Sequence, residues 1–106
     1  MNEPILYSFR RCPFAIRARM ALYFSKIRVE LREISLKDKP YEMIKASKKS
    51  TVPILVYNDL LLDESINIIL WALKVKDDYQ ILRPYQEDKS FVLGLIKIYD
   101  NIFKYH

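Results

Sequence analysis

The chain has 106 residues, 51% of them apolar, which is enough for one domain with a real core and too few for two. A single glycine, Gly94, and only five prolines exclude collagen-like, linker-like and low-complexity chains. The net charge of +5 is uneven, with 12 Lys/Arg against 5 Asp/Glu in residues 1–52 and 6 against 8 in residues 53–106. The positive residues form no single run and accompany no helix-turn-helix, zinc-ligand or RNA-stacking signature, so no nucleic-acid partner is expected.

Residues 4–9 (Pro-Ile-Leu-Tyr-Ser-Phe) read as a short buried strand, rich in β-branched and aromatic residues. Arg10, Arg11, Cys12 and Pro13 follow as a turn. From there Ala15, Ile16, Met20, Leu22, Tyr23 and Phe24 recur at helical spacing, with Arg17 and Arg19 off the main stripe. Proline suits the first turn of a helix, so a helix over 13–25 is expected with Cys12 at its N-cap. Val29, Leu31 and Ile34 alternate with charged residues, the pattern of a strand exposed on one face. Lys37-Asp38-Lys39-Pro40 breaks that pattern, 41–47 reads as a short helix, and 48–51 as a polar loop.

A third strand over 52–57 opens on Pro53, and Asn58-Asp59 is a two-residue turn into a fourth strand at 60–62. Asp63-Glu64-Ser65 puts acidic and hydroxyl residues at the start of a helix striped by Ile66, Ile69, Leu70 and Leu73. Residues 77–87 read as an exposed connector, and 88–106 as a further helix carrying Phe91, Val92, Leu95, Ile96, Tyr99, Ile102 and Phe103. The order β-α-β-α-β-β-α predicts an α/β fold: a mixed four-stranded sheet with helices on both faces.

Three places could carry chemistry. Cys12, at a helix N-terminus beside Arg10 and Arg11, has surroundings that favour thiolate over thiol. Its alternative is a buried cysteine acting as a small hydrophobe. Val52-Pro53, at the mouth of a strand, is either a cis pair whose Val52 backbone is free to bond an extended ligand, or a trans proline on an edge strand. Glu64-Ser65 at a helix start is either a head-group site, with the serine and helix amides for a carboxylate and Glu64 for an amine, or a plain cap.

Taken together, Cys12-Pro13-Phe14-Ala15 with Arg17 and Arg19, Leu36-Lys37-Asp38-Lys39-Pro40, Val52-Pro53 and Asp63-Glu64-Ser65 resemble the N-terminal, thioredoxin-like domain of glutathione S-transferases, most like the omega class. The resemblance implies residues 1–76 as a glutathione-binding domain, 77–87 as a linker, and 88–106 as the start of an all-helical domain within which the chain is truncated. It implies a monothiol transferase or reductase in which Cys12 is catalytic and forms a mixed disulfide with glutathione. Phe14 would line the site, Lys39 would pair with the glycyl carboxylate, and Val52 before a cis Pro53 would bond the cysteinyl backbone. Glu64 and Ser65 would hold the γ-glutamyl end. Ala15 stands where a dithiol motif has its second cysteine.

Glutathione is thus the expected co-substrate, with a small electrophilic or disulfide second substrate and no metal. Two departures from the family stand out: no glycine follows the first helix around Ser25-Lys26-Ile27, and none lies in the 48–51 loop. A non-catalytic binding or regulatory protein on the same fold, and a glutaredoxin-like monothiol domain, are the alternatives. A homodimer is expected from the apolar stripe of 88–106. A cytoplasmic setting is expected from the lone cysteine and from an N-terminus without a signal-peptide pattern. No membrane partner is expected.

Overall fold

A computed structural model describes residues 3–35, 37–47 and 51–105, the last four without their side chains. Leu36 of the shared motif, residues 48–50 of the polar loop, the Ile102 and Phe103 side chains and His106 lie outside the described residues. The elements run β1 (Ile5–Ser8), α1 (Pro13–Phe24), β2 (Glu30–Glu33), α2 (Tyr41–Ala46), β3 (Ile54–Tyr57), β4 (Leu60–Leu62), α3 (Ser65–Val75), α4 (Arg83–Glu87) and α5 (Lys89–Tyr105). The sheet order is β2-β1-β3-β4; β1 and β2 are parallel, and the other two pairings are antiparallel.

Successive side chains of a strand point to opposite faces, and this alternation divides the core in two. Leu6 and Leu55 face Ala18, Ala21 and Leu22 of α1 and Ile68 and Ala72 of α3. Tyr7 and Ile54 face the other way and meet Ile34 and Met43 of α2. Leu6, Ile54, Leu55, Ile68 and Met43 are fully buried, each worth roughly 1.5–3 kcal/mol of transfer free energy. The expected fold class and the two-sided placement of helices are both found.

The buried stripe of α1 includes Ala15 and Leu22 as expected but otherwise differs from expectation. Its core-facing residues are Ala15, Ala18, Ala21 and Leu22, while Ile16, Met20 and Tyr23 are exposed. Small residues let α1 approach both the sheet and α3 closely, so the larger apolar side chains turn outward. In α3 the buried positions are Ser65, Ile68, Ala72 and the expected Leu73, with Ile66, Ile69 and Leu70 only half-buried.

Residues 77–87 are not wholly an irregular connector. Asp77 accepts the backbone N–H groups of Ile81 (2.8 Å) and Leu82 (2.7 Å), and α4 then winds with Pro84 in its first turn. On β2, Arg32 donates to Glu30 and to the Tyr7 hydroxyl (3.2 Å). That pairing, with Glu30 first, holds the guanidinium above its ordinary pKa.

Candidate functional site

The topology gathers four loops at one end of the sheet. Because β2 runs parallel to β1, and β3 antiparallel to it, the segments after β1, after β2, before β3 and after β4 all meet there. Open α/β sheets bind ligands at such strand ends.

Cys12 ends the first of these segments. Its N–H donates to the Phe9 carbonyl at 3.0 Å, closing a tight turn, and its carbonyl accepts the Ile16 N–H at 2.8 Å as the first bond of α1. It is therefore the N-cap residue, in extended conformation and half-buried, and its thiol makes no capping hydrogen bond. The Val52–Pro53 bond is cis, and Pro53 is buried just ahead of β3. On the fourth segment Glu64 is the N-cap of α3 and Ser65 its first residue. The first amides of a helix generally lack intrahelical acceptors, so the start of α3 suits an anion. Ser47 Oγ lies 3.1 Å from Asp63 Oδ2 and joins the end of α2 to this segment.

Between these segments lies a cleft of about 600 Å³, inside the ~300–1,000 Å³ range of small-ligand sites. Five of the seven residues singled out in the sequence line it: Phe14, Val52, Pro53, Glu64 and Ser65. Cys12 and Lys39 are not among its lining residues; Cys12 stands two positions before Phe14, and Lys39 is half-buried on the loop ahead of α2.

Arg17 shapes this cleft in a way the sequence did not suggest. Its guanidinium lies 5.1 Å from the Phe14 ring centroid, and its Nε donates to the Ser65 hydroxyl at 2.8 Å. Its two terminal nitrogens grip the Asp100 carboxylate of α5 at 2.7 and 3.2 Å. Ser65, itself buried, thus accepts from Arg17 and keeps its own hydroxyl hydrogen to donate. Thr51, Asp63, Ile66, Asp100 and Asn101 complete the lining. Asp100 had no local signal, since its partner lies 83 residues away in the chain. Among the described residues no group of three or more His, Cys, Asp or Glu is placed to hold a metal, and no helix is long and apolar enough to cross a membrane.

Residues 6–78 match the family described as glutathione S-transferase, N-terminal domain. The chain belongs to that family. It is 34% identical over 86 residues to glutathione S-transferase U22 of Arabidopsis thaliana, an alignment covering 78% of this chain and 38% of the relative. It is 35% identical over 86 residues to probable glutathione S-transferase parA of Nicotiana tabacum, with the same coverage of 78% and 38%. The chain therefore spans about two fifths of the length of these curated relatives.

Among solved structures, glutathione transferase Omega 2C from Trametes versicolor superposes with a TM-score of 0.69 at 25% identity, over 77% of this chain and 41% of the other. The Tau-class MiGSTU from mango superposes with a TM-score of 0.64 at 24% identity, over 84% and 47%, a likeness of fold. The matched family region holds β1 through α3, and hence Cys12, cis-Pro53 and the Glu64-Ser65 helix start. Asp100, which ties α5 to the transferase-family domain through Arg17, lies beyond it.

Proposed function

We propose that this chain is the glutathione-binding part of an omega-like thiol transferase in which Cys12 is the nucleophile. The observation that carries the reading is the placement of a lone cysteine at the N-cap of α1, at the sheet end where cis-Pro53 and the start of α3 form a cleft. In the reaction, the Cys12 thiolate attacks the glutathionyl sulfur of a glutathionylated substrate, and the substrate leaves as a thiolate that takes a proton from solvent. A second glutathione thiolate attacks the Cys12–glutathione disulfide, releasing oxidised glutathione and restoring Cys12. Two exchanges complete the cycle, glutathione is the reductant, and no resolving cysteine is needed.

Binding follows from the same geometry. The Ser65 hydroxyl and the leading amides of α3 take the γ-glutamyl carboxylate, Glu64 takes the amine, and the Val52 backbone takes the cysteinyl unit. Phe14 flanks the ligand, and Lys39 answers the glycyl carboxylate from outside the cleft. Residues 1–76 form the glutathione domain, 77–87 the linker, and 88–106 the start of a helical domain. The exposed Phe91, Leu95 and Tyr99 support a cover over α5, by further helices or by a second copy in a homodimer. The setting is cytoplasmic, and no metal takes part.

Calorimetric titration with glutathione tests the binding half. A hydrogen bond to a carboxylate is worth ~1.5–3 kcal/mol, so Ser65→Ala should weaken binding roughly 10- to 100-fold. Lys39→Ala, which removes an ion pair outside the cleft and screened by solvent, should cost only about two- to fivefold. Equal affinity in the Ser65→Ala chain, or a larger loss from Lys39→Ala, contradicts this placement of the ligand.

A further inference from the structure

Arg19 accompanies Cys12 in the sequence motif, yet it does not line the cleft. Its side chain reaches back from α1 to three consecutive residues of the preceding segment. One terminal nitrogen donates to the Ser8 hydroxyl at 2.6 Å and to the Phe9 carbonyl at 3.3 Å, and the other donates to the Arg10 carbonyl at 3.0 Å. From β2, the Glu33 carboxylate accepts the Arg10 N–H at 2.7 Å. Between these two ionic groups runs the turn closed by the Cys12 N–H on the Phe9 carbonyl, so that carbonyl accepts from both Cys12 and Arg19.

Each hydrogen bond of Arg19 ends on this segment. Ser8 is fully buried, so its hydroxyl needs an internal partner, and Arg19 supplies it. Only a planar guanidinium, with donors in a fixed fork, reaches three acceptors spread along a turn; an ammonium is a point donor. The fourth residue of the turn is the N-cap of α1, so whatever fixes the turn also fixes where the Cys12 backbone stands at the amide end of the helix.

We infer that Arg19, seconded by Glu33, is a positioning residue for Cys12. It holds the Phe9–Cys12 turn so that the sulfur stays at the amide end of α1, and it sets the thiol's reactivity without bonding to the thiol itself. The inference rests on the reading of Cys12 as the nucleophile.

The test uses the full chain with Arg19→Gln, Arg19→Lys and Glu33→Gln. Intact mass gives the rate of Cys12 modification by iodoacetamide and by oxidised glutathione, and calorimetry gives S-methylglutathione affinity. Arg19→Gln should slow both modifications by about tenfold or more while affinity stays within about twofold, because the placement of the sulfur is lost and the cleft is kept. Arg19→Lys should recover part of the rate, and Glu33→Gln should show a smaller loss. Should Arg19→Gln not fold, these two variants carry the test. Unchanged rates, or an affinity that falls in step with the rate, overturn the inference. If the parent chain reacts with oxidised glutathione no faster than free cysteine does, the transferase reading fails. The iodoacetamide rates then still decide whether Arg19 positions the thiol.

Discussion

Lys26 ends α1 with φ at 57°, in the left-handed region, and the chain around it forms a Schellman closure. The Ile27 N–H returns to the Leu22 carbonyl and the Lys26 N–H to the Tyr23 carbonyl, both at 3.0 Å. The family resemblance would place a glycine here, and its absence was visible in the sequence as a departure. The structure shows that the backbone keeps the glycine's conformation and imposes it on a lysine. A left-handed non-glycine residue costs roughly 1–2 kcal/mol, and the exposed Lys26–Asp78 pair at 3.4 Å returns little. Lys26→Gly is therefore expected to stabilise the chain by about 1 kcal/mol, a rise of ~4–8 °C in melting temperature. An unchanged or lower melting temperature would count against the strain. Arginines were the least legible residues. Arg17 and Arg19 stand off the helix stripe and within the shared motif but receive no task there, because their tasks are defined by partners in other elements that no local spacing reveals.

At the scale of elements, the order, type and approximate limits of all seven elements of the sheet domain were legible, since strand alternation and turn residues are local signals. The inward face of α1 was not. Helical spacing favoured Ile16, Met20 and Tyr23, the larger apolar residues, but proximity to the sheet and α3 selects the alanines. Small side chains fill most of that face, with Leu22 the one large residue among them. Ala18→Leu inserts three carbons at a position with no exposure and should destabilise by ~1–3 kcal/mol or more through overpacking. Met20→Ala, at a position 53% exposed, should cost under about 1 kcal/mol. Chemical denaturation of the two variants checks the order, and the reverse order would return the core face to the larger residues.

Over the whole molecule, the Arg17–Asp100 ion pair joins α1 to α5 across 83 residues of chain. Arg17 spans from α1 to the buried Ser65 of α3 and to Asp100 of α5, and the Arg17 and Asp100 side chains are both partly open to solvent. The cleft is consequently a product of the sheet domain and of α5 together. The five lining residues predicted from sequence come from short motifs, while Asp100 and Asn101 enter only through long-range folding. For a half-exposed bidentate pair, Asp100→Ala should cost about 1 kcal/mol or less of global stability. Its larger effect should be local: faster amide exchange along α5 with protection in β1 and β3 unchanged. Exchange that rises evenly through the sheet would mean that α5 is part of the core rather than tied to it by this pair.

The central claim is that Cys12 is a reactive nucleophile and not merely a half-buried apolar side chain. The most direct measurement is the rate at which oxidised glutathione forms a mixed disulfide with the chain, followed by intact mass at fixed pH, with Cys12→Ser as the blank. If Cys12 is the nucleophile, a single adduct should form on it roughly tenfold or more faster than on free cysteine, and none in the blank. A rate equal to that of free cysteine, or no adduct, would contradict it.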